Sequence, residues 1–366
     1  VTPRAIIIQT WAILAEAYRE LANRKLFWIT LAISAFVALA VAAVGINANG
    51  ITILHWELDA PLTTATMSRE SFYKNLFVTL GVQIWLAWAA TILALISTAS
   101  IFPDFLSGGA VDLWLSKPIS RLRLFLTKYA AGLLFVTLQV SVFTVACFLV
   151  LGLRGGVWVP WIFLAIPLVV CFFSYLFAFC VLFAVLTRST IAALLLTMLV
   201  WFGLFLVNSA EASLLTLATM PSMQMEAAQK RIEVQRSRPA PNESRIEQLE
   251  SQIETARASR DRMLWWHAWA LRVKTVLPKT DETIDLLERR MTELAALPRT
   301  ELSDDEGPRV EGVPIGTGEP VSADELERRV EESRRSRPVW WILGTSLLFE
   351  IGVVGLAALI FSRRDF

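Results

Sequence analysis

Histidine and cysteine are scarce in this sequence, and that scarcity removes several kinds of chemistry. The two histidines, His55 and His267, stand far apart with no cysteine or carboxylate at ligand spacing, so no metal site is expected. The three cysteines, Cys147, Cys171 and Cys180, are odd in number and lie in apolar runs, which argues against a disulfide framework. "NSAEAS" at 208–213 offers serine without a His–Asp set, and the apolar runs hold no Asp pair or Ser–Lys arrangement, so catalysis by the chain itself is not expected. A GxxxxGK[ST] phosphate loop is also missing. The nearest text, "GVPIGTGEP" at 312–320, has no Lys-Ser after it, so the chain carries no ATP-hydrolysing loop and no cofactor of its own. The net charge is only +1, which gives no basis for a nucleic-acid partner.

Apolar residues are what the chain has in abundance: 55% of its 366 residues are hydrophobic, and the mean hydropathy is +0.53. A water-soluble protein of this length could not bury so much, so lipid is its solvent. Crossing the hydrocarbon layer takes about 20 apolar residues in a helix. Six stretches qualify: Leu26–Val44, Phe77–Ile101, Leu124–Leu151, Trp161–Leu186, Ile191–Val207 and Val339–Phe361. The expected fold is an all-α polytopic membrane protein of six transmembrane helices. Only "TRST" separates the fourth from the fifth, which requires a tight helical hairpin.

Basic residues near the ends of the stretches set the orientation. Arg19, Arg24, Lys25, Lys117, Arg121, Arg123, Lys128, Arg188, Arg363 and Arg364 fall on one side of a six-span topology, which makes that side the cytoplasm and places both termini there. Arg69, Lys74 and Arg154 fall on the other side, together with the long segment 208–337, whose length exempts it from the charge rule. The expectation is a multi-pass protein of the plasma (inner) membrane, and the short loops and opening Val fit a bacterial chain.

Residues 1–25 do not form a secretory signal, because polar residues interrupt the apolar stretch and no small-residue cleavage site follows. Ile7, Trp11, Leu14, Tyr18 and Leu21 recur at helical spacing. This reads as an amphipathic elbow helix lying in the interface before residues 26–207, or as a cap packed on other helices. Lys128 stands inside the third stretch, which is expected to begin in water or in the headgroup layer. Pro167 is expected to kink the fourth.

Composition changes sharply at 208–337, read as an extracytoplasmic, mostly helical insertion before the final stretch and tail at 338–366. "MEAAQKRIEVQRS" and "ESRIEQLESQIETARASRDRM" read as two helices turned by "RPAPN", with Ile246, Leu249, Ile253 and Ala256 as the seam of a hairpin. The "LWWHAW" run suits the headgroup zone, with His267 interfacial among tryptophans. Thr280 or Asp281 can cap a helix carrying Ile284, Leu287 and Met291. Residues 298–321, rich in Pro, Gly and acids, are expected to be a flexible loop, and "SADE" at 322–325 opens a last polar helix as a capping box.

Two places carry candidate function. The first is 103–121, where a charged, turn-containing segment interrupts the apolar pattern. Pro103 ends the second stretch, Gly108 and Gly109 permit a turn, and Ala110–Ser116 can form a short helix stopped by Lys117-Pro118. Ser120 can cap the next helix. Such a helix would present Val111, Leu113, Trp114 and Leu115 beside charge, either as a docking knob or as a positive-inside loop anchored by Trp114. The second is Glu350, midway along the sixth stretch, where a carboxylate needs protonation or a partner. It is a substrate-path residue, an interhelical hydrogen bond that couples the sixth stretch to others, or a protonated carboxyl bonded to a Ser or Gln on a neighbour; Gln83 and Gln139 are candidates.

The run "LWLSKPISRLRLFLTKYAAGLL" resembles the segment after the second span in membrane (permease) subunits of the type-two ATP-binding-cassette exporter family. Lys117, Pro118, Ser120, Arg121, Lys128 and Tyr129 match its pattern position by position, and the elbow, the six spans and the "FSRRDF" tail agree. The resemblance implies a coupling helix within 103–121, with Asp104, Gly109, Asp112, Leu113, Trp114, Leu115, Lys117, Pro118 and Arg121 contacting a separate cytoplasmic ATPase subunit. That subunit would bind the ATP and Mg. A second copy of the chain, or a homologous permease, would complete the path through membrane lipid. A non-transporting complex, in which the ATPase moves the 208–337 insertion mechanically, is the alternative.

The topology has a direct test. With the three native cysteines replaced by alanine, Trp114→Cys and Lys117→Cys are expected to resist a membrane-impermeant thiol reagent in intact cells and to react after lysis. Modification without lysis would overturn the six-span orientation.

Overall fold

The computed structural model describes residues 11–106, 120–295 and 323–363, except positions 13, 17, 20, 21, 24, 49, 55, 60–62, 65–67 and 157. Within them lie six helices long and apolar enough to cross a membrane: Lys25–Ala43, Arg69–Leu106, Arg121–Gly155, Pro160–Thr187, Thr190–Arg236 and Val339–Arg363. The chain is a multi-pass, predominantly helical membrane protein. The six are named below as the first to the sixth spanning helix. The Ala110–Ser116 helix, the 298–321 loop and the Ser322 cap fall outside the described residues. Of the opening amphipathic stretch, Trp11, Leu14 and Tyr18 are helical.

All-α needs one amendment. The first loop folds into a three-stranded antiparallel meander, β1 Val44–Asn47, β2 Gly50–Ile53 and β3 Trp56–Asp59. Its register pairs Val44 with Ile53 and Ile53 with Trp56. Its β-branched residues stand directly after the first apolar run, where a hydropathy reading merges them with the span.

The second spanning helix is composite. It opens at Arg69, where the Ser68 side chain accepts a hydrogen bond from Ser71 N at 3.2 Å. It is π-helical over Phe77–Ala90 and α-helical over Thr91–Thr98. Pro103 does not end it. The chain bends at Ala99–Ser100, and Pro103 sits in the first turn of a new helix, Ile101–Leu106, where its missing N–H leaves no bond unmade.

Ser120 caps the third spanning helix as its sequence position suggests, accepting from Arg123 N at 3.3 Å. Lys128 is 5% exposed, with its ammonium 5.6 Å from the centre of the Phe105 ring. Pro167 stands in the first turn of Ala165–Thr187, just after a 3-10 turn over Pro160–Leu164, and so interrupts no ladder. Arg188 turns the chain between the fourth and fifth spanning helices in the left-handed region, φ 55°, and its N–H returns to Ala184 O.

The described chain divides into two compact units. The first comprises Val1–Trp201, Thr280–Leu297 and Ser346–Phe366; the second, Phe202–Lys279 and Pro298–Thr345. The first unit packs the first to fourth spanning helices around Phe135, Phe143, Phe173 and Phe177, all at or below 1% exposure. Thr280–Ala295 belongs to this unit and lies along the fourth spanning helix, burying Ile284, Leu286 and Leu287.

In the second unit the fifth spanning helix continues to Arg236, so the polar helix read at "MEAAQKRIEVQRS" is the end of one 47-residue helix. Helix Glu243–Val276 follows the two-proline turn, capped by the Asn242 side chain. Ala228 and Ile232 pack on Leu249, with Ile246 and Ile253 beside them, which forms the expected hairpin seam. Arg236 and Glu250 bridge its end at 3.0 Å. Arg329 of helix Ala323–Arg335 reaches Glu226 at 2.9 Å.

The third and fourth spanning helices approach closely at Gly132, where an added Cβ would stand 2.6 Å from the Phe177 ring. Gly132→Ala must displace that ring and is expected to cost about 1–3 kcal/mol, read as a lower unfolding midpoint of the purified protein in detergent. An unchanged midpoint would mean that the third and fourth spanning helices do not meet there.

Candidate functional site

The segment 107–119, with Gly109, Asp112, Leu113, Trp114, Leu115, Lys117 and Pro118, lies outside the described residues; the structure describes its two flanks. Before it, Asp104 is exposed on Ile101–Leu106 while Phe102 and Phe105 point inward. After it, Arg121 donates from Nη1 to the Ser362 carbonyl at 3.2 Å. The end of the sixth spanning helix holds both flanks together. Phe361 packs on Phe105 with ring centres 6.1 Å apart and on Phe125 at 5.6 Å, and Phe125 packs on Phe102 at 5.0 Å. Asp104 and Arg121 are thus the predicted coupling residues that lie within the described residues.

Two turns after Arg121 comes Tyr129, whose hydroxyl donates to Glu350 Oε1 at 2.8 Å. Ser174 Oγ lies 2.8 Å from Glu350 Oε2. The Tyr129 ring stacks on Phe177, with centres 5.1 Å apart. Glu350 is 9% exposed and joins the third, fourth and sixth spanning helices. Its partners are therefore a serine, as one reading expected, and a tyrosine; neither Gln83 nor Gln139 is bonded to it. Tyr129 belongs to the run that suggested the family resemblance, but its role toward Glu350 was not legible there, because the two residues are far apart in the chain.

Gln139 faces elsewhere. With Ser34, Thr91, Val136 and Val169 it lines a small gap between helices. Among the described residues, neither its amide atoms nor Ser34 Oγ has a hydrogen-bond partner. Leaving such groups unpaired costs about 1–3 kcal/mol each.

The second unit contains a cluster that sequence reading missed. Glu211 is fully buried, and Lys274 donates to its Oε2 at 2.9 Å. Arg337 pairs with Oε1, and His267 Nε2 lies 2.9 Å from the same oxygen. His267 is thus bonded within the second unit and its side chain is 14% exposed, while Trp265, Trp266 and Trp269 are about half exposed. A signal was present, since His267 and Lys274 are two helical turns apart and share a face. Glu211 stands beyond Val207, where the fifth apolar stretch ends. Nearby, Lys279 is buried over the Trp341 ring, 4.3 Å from its centre, and donates to the Thr275 carbonyl at 3.1 Å.

Among the described residues, no group of three His, Cys, Asp or Glu side chains could hold a metal ion. No protein-family model, curated protein or solved structure matches the chain.

Removing the Glu211 carboxylate takes a countercharge from the buried Lys274 and the part-buried Arg337, so Glu211→Ala is expected to cost about 3–5 kcal/mol, measured as thermal unfolding. A wild-type unfolding midpoint for Glu211→Ala at pH 7 would contradict the cluster.

Proposed function

We propose that the chain is the membrane subunit of an ATP-driven exporter, working in the manner of the type-two ATP-binding-cassette permeases that its 113–134 run resembles. In this reading a separate cytoplasmic ATPase subunit binds ATP and Mg and grips residues 103–121. Two copies of the chain, or this chain and a homologous permease, form the path through the inner membrane. Closure of the ATPase pair on nucleotide then favours one arrangement of the spanning helices over another, because the pair binds the two arrangements with different affinity.

The observation that carries the reading is the attachment of both flanks of 107–119 to the sixth spanning helix, through Phe105, Phe125 and Phe361 and through Arg121 on the Ser362 carbonyl. A push on the segment is delivered to a spanning helix through aromatic contacts and a charge-assisted bond, not through a slack loop. Farther along that helix, Glu350 ties it to the third and fourth. Residues Asp112–Pro118 would supply the grip itself.

A second reading has its own support. The fifth spanning helix is helical throughout from Thr190 to Arg236, and its distal part forms the hairpin with Glu243–Val276. An ATPase acting on such a chain could move that hairpin as a lever, without moving a solute.

Co-purification with the ATPase encoded beside the gene tests the main reading. Deletion of 112–118 is expected to abolish co-purification and stimulated ATP hydrolysis. Arg121→Ala, which removes a bond of about 1.5–3 kcal/mol, is expected to leave binding intact and to weaken stimulation. Full binding and stimulation by the deletion variant would overturn the assignment. Nucleotide-dependent movement of the hairpin without substrate flux in liposomes would favour the lever.

A further inference from the structure

Counting hydrogens around Glu350 leads to a conclusion that does not depend on the transport reading. Three oxygen–oxygen contacts of 2.8 Å surround the site: Tyr129 Oη to Glu350 Oε1, Ser174 Oγ to Glu350 Oε2, and Ser174 Oγ to the Cys171 carbonyl oxygen. Tyr129 Oη also lies 3.3 Å from the Ser174 carbonyl oxygen. At such separations each contact needs a hydrogen between its two oxygens, since facing lone pairs repel. A tyrosine and a serine hydroxyl own one hydrogen each, a backbone carbonyl owns none, and an ionised carboxylate owns none. With Glu350 ionised, two hydrogens must serve three short contacts, and Ser174 must abandon either Cys171 O or Oε2. With one proton on Oε2, the carboxyl donates to Ser174 Oγ, Ser174 donates to Cys171 O, and Tyr129 donates to Oε1. Every short contact is then closed.

The surroundings agree. The groups facing Glu350 are Tyr129 on the third spanning helix and Cys171, Ser174 and Tyr175 on the fourth; Ser346 stands one turn away on its own helix. All of these are neutral types at pH 7. Lys128, adjacent to Tyr129 in sequence, turns its ammonium over the Phe105 ring. An anion here would sit among neutral groups at the depth of a spanning helix, the costliest place for one.

We infer that Glu350 holds a proton at rest, and that Tyr129, Glu350 and Ser174 form a proton-binding site where the third, fourth and sixth spanning helices meet. The bound proton is part of the joint, because it supplies the hydrogen that links the sixth helix to Ser174. Any rearrangement that parts the sixth helix from Tyr129 and Ser174, and admits water, weakens the hold on that proton. Proton binding and helix packing are therefore linked reciprocally.

Infrared difference spectroscopy of the purified full chain in lipid at pH 7 tests this. Wild type minus Glu350→Gln is expected to contain the C=O stretch of a protonated carboxyl, moved to higher frequency in Tyr129→Phe, which removes the bond to Oε1. A difference containing only carboxylate bands would overturn the inference. Glutamine reproduces the neutral acid, donating to Ser174 and accepting from Tyr129, so Glu350→Gln is expected to keep the wild-type unfolding midpoint while Glu350→Leu lowers it. Failure of Glu350→Gln to fold, with Glu350→Leu no worse, would also overturn it.

Discussion

A carboxyl group inside hydrocarbon has no water to turn to, so its hydrogen-bonding demand must be met by the helices around it. Glu350 makes this demand on the sixth spanning helix, and Tyr129 and Ser174 meet it from the third and fourth. The bonds are directional, so they fix the helix faces that meet and the level at which they meet. Dispersion alone constrains this poorly where lipid is as apolar as leucine. The close packing at Gly132 and Phe177 and the stack of Phe177 on Tyr129 lie around the same joint. Near the end of the sixth helix, Phe361 and Ser362 then meet the flanks of the charged segment at set positions.

The second unit solves the same problem with charge. Glu211 is as buried as any residue in the chain, yet it remains an anion because Lys274 and Arg337 donate to it directly. A buried ion cluster of this kind is weak evidence for net stability, since desolvating the charges offsets most of their attraction. Its effect is on arrangement: the carboxylate holds the cations that donate to it at fixed positions. Three separate segments, the fifth spanning helix, Glu243–Val276 and the residue before Pro338, are held in register by one carboxylate. One polar group is thus satisfied by shared hydrogens and the other by countercharges, and each orders helices that apolar packing alone would leave free to slide.

Legibility in the sequence followed the range of the physics involved. The six spanning helices could be read because hydropathy over about 20 residues is a local sum. The Ser120 cap and the seam at Leu249 were readable for the same reason, since each rests on neighbours within a few turns. The ends of helices were less legible: the fifth continues to Arg236 because backbone hydrogen bonding persists where apolarity stops. The meander at Val44–Asp59 was hidden because its β-branched residues extend an apolar run. Pro103 and Lys128 departed from local rules for tertiary reasons. A proline is harmless in a first turn, and a lysine can be buried when an aromatic face receives it.

The order of apolar and polar stretches by itself determined that this chain enters a membrane, how many helices can cross it, and that a charged segment interrupts them between the second and third. It also singled out Glu350, because a carboxylate in an apolar run stands out in one dimension. Only the tertiary structure decided that Glu350 meets Tyr129 and Ser174, that Glu211 gathers His267, Lys274 and Arg337, and that Phe361 lies between Phe105 and Phe125. Partners separated by scores or hundreds of residues leave no periodic trace in a single sequence. Which polar groups face each other is set by how whole helices rotate and cross, and that is a property of the assembled bundle.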